Sequence, residues 1–212
     1  MTVNKAISQD WSQFKLLGGW LCLDFANTAN REESGYSEEW LNNYADLVGW
    51  GKYTQILPQK EVKQLLREAK ARPEMAKTVF ECAIALRETL YRIFSAIAQE
   101  HSVPEIELTN LNVALAQTLG NLRIASTDEG FIWTWADSSN KLNSVLWQVI
   151  HSAGELLTAK ALNRLRECAA DDCSFLFVDM SRNRSRCWCD MEDCGNRSKA
   201  KRHYERRKRK AL

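Results

Sequence analysis

The sequence is short of helix breakers, with three prolines and nine glycines in 212 residues. Leu, Ala, Glu, Lys and Gln are abundant instead, which argues against a strand-rich fold and for a mainly α one with a small β-hairpin. Long apolar runs are also missing. None approaches the roughly 18–20 residues needed to cross a bilayer, so no membrane role is expected and a soluble protein is predicted. Histidine is scarce, at three. With no phosphate loop, nucleophile motif or metal triad upstream, an enzyme built on Asp24 with His101 or His151 is the weakest reading. The first ten residues lack the basic start and apolar core of a secretory signal, which predicts a reducing, cytoplasmic setting and free thiols.

What the chain has is concentrated at one end. Residues 160–212 hold 15 Lys and Arg against 8 Asp and Glu, whereas residues 1–159 hold 14 against 19. A compact basic end on an acidic body is the electrostatic pattern of a nucleic-acid contact. The same end carries Cys168, Cys173, Cys189 and Cys194, two like-spaced pairs with four residues inside each and fifteen between. Two short knuckles can bring four thiolates to one point, the tetrahedral arrangement of a structural Zn²⁺ site, although two residues between paired cysteines is the commoner spacing. The surrounding Asp and Arg residues argue against four simple buried thiols. Cys187 breaks the symmetry of the pairs and reads as a spare thiol open to oxidation. His203 sits in a basic run where no ligand is wanting.

The run Arg164 to Cys168, then Phe177 to Arg186, Trp188-Cys189-Asp190-Met191 and Cys194-Gly195-Asn196-Arg197 resembles the CGNR zinc finger. Members of that family look like bacterial transcription regulators in which the finger follows an ABATE domain linked to stress. The resemblance implies that Cys168, Cys173, Cys189 and Cys194 bind one structural zinc in a treble-clef-like or knuckle-type finger. Cys187 stands where the family more often has an arginine, which removes one phosphate contact. The segment Leu16 to Thr28 resembles the opening of ABATE domains.

The organisation expected is a multihelical regulatory domain over 1–160 and the finger with its basic tail over 161–212. No Pro or Gly separates them, so the finger is expected to be docked rather than tethered. In the first part, Gly18-Gly19 reads as a turn and Leu21, Leu23 and Phe25 alternate, in a segment too short to distinguish strand from helix. Asp24, Asn27, Thr28 and Arg31 cluster at its end. They could hold a small effector, though such residues more often cap a turn or bond nearby backbone. Helices are predicted from Ser37 to Gly49, from Pro58, from Pro73 and from Pro104. The third of these carries a core stripe of Met75, Val79, Cys82, Leu86, Leu90, Ile93 and Ile97. Cys22 and Cys82 read as packing. Leu122 to Trp135 reads as a β-hairpin whose Phe131, Trp133 and Trp135 face is expected to pack on the core. Ser138 or Ser139 is expected to cap a last long helix through Leu157.

Within the finger, Phe175 to Val178 suggests a short hairpin around the first knuckle, and Asn196 to Lys210 a basic helix. The expected partner is duplex DNA. The expected contacts are Arg182, Asn183, Arg184, Arg186, Asn196, Arg197, Lys199, Lys201 and Arg202. The function predicted is a DNA-binding transcription regulator with an effector-sensing N-terminal domain, the alternative being an RNA-binding stress protein. The lack of an aromatic sheet motif for stacking bases favours duplex DNA.

Overall fold

A computed structural model of the chain describes residues 9–32, 35–136 and 141–210. At the centre is a six-residue helix, α1 (Leu21–Ala26), packed between two longer ones, α4 (Pro73–Ala98) and α6 (Trp147–Thr158). Because both sides are covered, Cys22, Leu23, Phe25 and Ala26 are all fully buried. A segment enclosed in this way needs no polar face, which is why alternation in the sequence did not reveal its period. Four elements complete the layer around it: β1 (Ala29–Glu32), β2 (Gly35–Glu39), α2 (Tyr44–Tyr53) and α3 (Gln59–Ala71).

The helix expected from Ser37 begins later, because Ser37 to Glu39 belong to a hairpin in which Asn30 pairs with Glu38 and Ala29 with Glu39. Glu39 is needed elsewhere. Its carboxylate grips the fully buried Arg87 guanidinium through two hydrogen bonds of 2.6 and 2.7 Å, so that a core cation is neutralised. Asn43 caps α2 instead, its Oδ1 accepting from the Asp46 amide at 3.0 Å. α2 then continues through Gly49 and Gly51 to Tyr53.

Pro58 stands just before α3 and Pro73 is the first residue of α4, as proline's fixed φ favours. The α4 stripe holds from Leu86 through Leu90 and Ile93, but its first turns differ from expectation. Met75 is 51% exposed, and Cys82 is exposed rather than packed. Ala76 and Ala83 face the core in their place. α5 (Glu105–Leu119) buries Leu111 and leaves Leu108 and Leu119 partly in solvent.

The next hairpin, β3 (Leu122–Thr127) with β4 (Gly130–Trp135), forms where the sequence predicts one, with Ile124 opposite Trp133. Its aromatic face does not reach the core. Phe131 and Trp133 are 80% and 65% exposed, and only Trp135 packs, its ring 5.7 Å from Trp147 and 5.9 Å from His151. The hairpin packs chiefly on itself, so alternation predicted the pairing but not a neighbour. Ser138 and Ser139 lie outside the described residues. A 3-10 segment, Leu142–Leu146, leads into α6.

A short 3-10 segment, Lys160–Arg164, delivers the chain to β5 (Leu165–Glu167), which pairs with β6 (Leu176–Val178). Leu165, Leu176 and Val178 join the main hydrophobic core. The finger is docked. Its last helix is α7 (Asn196–Lys210).

Candidate metal centre and basic face

The first knuckle is the loop of the β5–β6 hairpin, so pairing of Arg166 with Phe177 fixes the approach of Cys168 and Cys173. The second knuckle closes through a single π-type turn, Met191–Gly195, that runs straight into α7. Together they bring the sulfurs of Cys168, Cys173, Cys189 and Cys194 within 4.8 Å of one another. Cys189 Sγ lies 3.6 Å from that of Cys173 and 3.5 Å from that of Cys194. A tetrahedron with Zn–S bonds of about 2.3 Å has edges of about 3.8 Å, so these four residues fit one structural zinc. The crowding acts on the protons too. Cys173 and then Cys189 donate to Cys168 and hold its thiol far below the usual range, while Cys168 holds Cys173 and Cys189 above it. Cys187 is exposed, and its sulfur contacts the Ser185 carbonyl rather than the cluster.

Each residue of the Cys194-Gly195-Asn196-Arg197 run has a separate task. Cys194 belongs to the sulfur cluster. A side chain on Gly195 would place Cβ 2.6 Å from Met191 Sδ and 3.4 Å from the Trp188 ring, so the Met191 side chain would have to shift. Asn196 Nδ2 donates to the Glu192 carbonyl at 3.0 Å and joins the turn to the helix. Arg197 lies over the site, donating to both Asp172 oxygens at 2.8 and 3.0 Å and to Cys194 Sγ at 3.4 Å. One turn on, Lys201 Nζ pairs with Asp171 at 2.5 Å. Two ion pairs four residues apart therefore fasten α7 against the first knuckle.

A family model described as "Putative stress-induced transcription regulator", ABATE, matches residues 19–160, more than half of the chain. The chain belongs to the ABATE family. A second model, the CGNR zinc finger, matches residues 164–207 and so covers the sulfur cluster and most of α7. No curated protein matches the chain. Both descriptions are those of a regulator and a binding module, which suggests a non-enzyme. Among the described residues no helix is long and apolar enough to cross a membrane.

The residues expected to meet nucleic acid divide into three sets. Arg182, Asn183 and Arg184 are exposed on a loop that the buried Asp179 carboxylate closes, accepting from Ser181 N at 2.8 Å and Arg186 N at 3.0 Å. Lys199 and Arg202 are exposed on α7, the Arg202 guanidinium 5.6 Å from the Trp188 ring. Asn196, Arg197 and Lys201 are exposed as well but already hold bonds within the finger. Arg186 turns inward. It stacks 4.3 Å from the Phe177 ring and donates to the carbonyls of Trp188, Cys189 and Leu17.

The polar atoms of Asp24, Asn27, Thr28 and Arg31 each bond a different part of the protein and are not gathered into one site. Asp24 Oδ1 accepts from Gly18 N, and Thr28 Oγ1 donates to Phe25 O. Arg31 pairs with Glu88 and stacks 3.9 Å from the Tyr91 ring. Asn27 bonds the backbone of Leu176 in the CGNR finger. Lys15 reaches the second knuckle, 2.6 Å from both Asp190 and Asp193. Sequence reasoning missed Lys15, Asn27 and Asn30 as finger contacts, because their partners lie more than 140 residues away. Asp179 carried a local signal, an Asp two residues before Ser181, the pattern of an Asx turn.

Proposed function

We propose that this ABATE-family chain is a DNA-binding transcription regulator whose CGNR finger presents one loop and one helix to duplex DNA. The observation that carries the reading is the exposed cation set Arg182, Arg184, Lys199 and Arg202, mounted on a finger held by four convergent cysteines and two Asp pairs. Zinc, when bound, supplies a cross-link and no open coordination position, so its role is to build the surface rather than perform chemistry. Asp179 and Arg186 position the loop, and Arg197 and Lys201 position α7. The rim charges that remain are available to phosphates, and the exposure of Asn183 on the same loop supports a role in reading a base edge. A reducing, cytoplasmic setting agrees with four free ligand thiols.

The test is selection from a pool of random duplex DNA by the zinc-loaded chain, with structured and single-stranded RNA as competitors. Enrichment of a duplex sequence is expected, with log affinity falling against log salt at a slope of about −5 to −6 if six phosphates are neutralised. RNA that displaces the duplex at lower concentration moves the reading to an RNA-binding protein. No binding of either at low salt ends it.

A further inference from the structure

Between the first half of α4, the last turns of α5, the Leu142–Leu146 segment and the start of α6 lies a cavity of about 460 Å³. Val79, Leu86, Leu142, Leu146, Trp147 and Ile150 line it. Its size falls within the roughly 300–1,000 Å³ of small-molecule sites, which are mostly apolar with a few placed polar groups. The departures of α4 from its predicted stripe occur here. Met75 and Cys82, both exposed, line this cavity.

Lys141 supplies the placed polar group. Its ammonium lies 5.2 Å from the Trp147 ring centroid and donates to the neutral Asn121 Oδ1 at 2.7 Å. Among the described residues it has no carboxylate partner. A cation held by a ring and an amide, at the edge of an apolar cavity, complements a molecule with a hydrocarbon body and an anionic end. We propose that this cavity binds a small amphipathic carboxylate, with its apolar body against Val79, Leu86, Leu146 and Ile150 and its carboxylate at Lys141. The site lies within the ABATE-matched part and does not rest on the nucleic-acid reading, since binding is measured on the protein alone.

Two exposed thiols make the test site-specific, because Cys82 lines this cavity and Cys187 does not. The zinc-loaded full chain is alkylated with iodoacetamide, with decanoate as the probe below its micelle-forming concentration, and each cysteine peptide is followed by mass. Decanoate at ten times its Kd is expected to slow alkylation of Cys82 about tenfold and to leave Cys187 unchanged. Lys141→Gln is expected to weaken decanoate about tenfold, as loss of one charged hydrogen bond predicts, while decan-1-ol binds as before. Ala114→Phe, which fills the cavity, is expected to abolish the protection. Equal alkylation rates with and without decanoate overturn the proposal. Unchanged decanoate affinity in Lys141→Gln does the same, and needs no core substitution. Protection of Cys82 by raised protein concentration alone, with doubled mass in sedimentation, overturns it as well, because the occupant is then a second copy of the chain.

Discussion

Asn27 satisfies both backbone polar groups of Leu176, its Oδ1 accepting from Leu176 N at 2.8 Å and its Nδ2 donating to Leu176 O at 2.9 Å. One side-chain amide thus takes the place of a third strand beside β6. Asn27→Ala leaves a buried donor and acceptor without partners, a loss of about 2–4 kcal/mol. Chemical denaturation measures that loss, and amide exchange of β6 should rise more than that of α6.

Chelation should separate two parts of the finger that sequence reasoning treated as one. Leu165, Leu176 and Val178 lie in the main core, so β5 and β6 stay docked when metal leaves. α7 and the knuckle loops lose their cross-link and become exchange-labile. Metal analysis of Cys173→Ser should show zinc lost, whereas Cys187→Ser should keep one zinc per chain. Retention of zinc by Cys173→Ser contradicts the four-cysteine site.

Asp171 and Asp172 pair with Lys201 and Arg197, so on the proposed duplex they would compete with phosphate for those cations. Surface pairs of this kind contribute little to stability, about 0–1 kcal/mol. Asp171→Asn with Asp172→Asn should therefore tighten duplex binding at low salt and steepen the salt slope by about one to two. Titration of one duplex at several salt concentrations checks both. Removing the charges of Lys208, Arg209 and Lys210 should weaken all sequences alike and flatten the slope, while Arg184→Ala should reduce discrimination between sequences.

Asp24 gives a pH signature. Burial pushes its carboxyl up to about 6, against the opposing hydrogen bonds from Gly18 and Leu17. A raised acid favours the folded state most fully below the unfolded value near 4 and withdraws that contribution as pH rises through about 6. Asp24→Asn keeps an acceptor for Gly18 without the buried charge. It should stabilise the protein by about 2–3 kcal/mol at pH 8 and by little at pH 4. Unfolding curves of both proteins across that range decide it, and a gain that does not vary with pH rules out this origin.

The metal site was legible because its information is local: two cysteine spacings and the residues beside them. Long helices were legible for a similar reason, since Leu86, Leu90 and Ile93 repeat often enough to fix a face. The failures share the opposite property. Six residues of α1 hold too few turns to show a period, and Ser37 to Glu39 resemble a helix start until Arg87, far along the chain, claims Glu39. Cys82, Phe131 and Trp133 are apolar or aromatic residues whose exposure depends on which neighbours are absent, and no window of sequence records that. The basic contacts expected from charge alone include Arg186, whose inward turn depends on Phe177 and on the distant Leu17 carbonyl.

The amide of Val178 donates to the carbonyl of Gly18 at 3.0 Å, joining two residues that are far apart in the sequence. On the ribosome, the turn before α1 must wait for that partner until Val178 has emerged. Closing so long a loop is slow, because its entropy is lost before the contact is gained. Until then the surfaces that receive Leu176 and Val178 stay uncovered, which leaves apolar surface of the nascent chain open to chaperones.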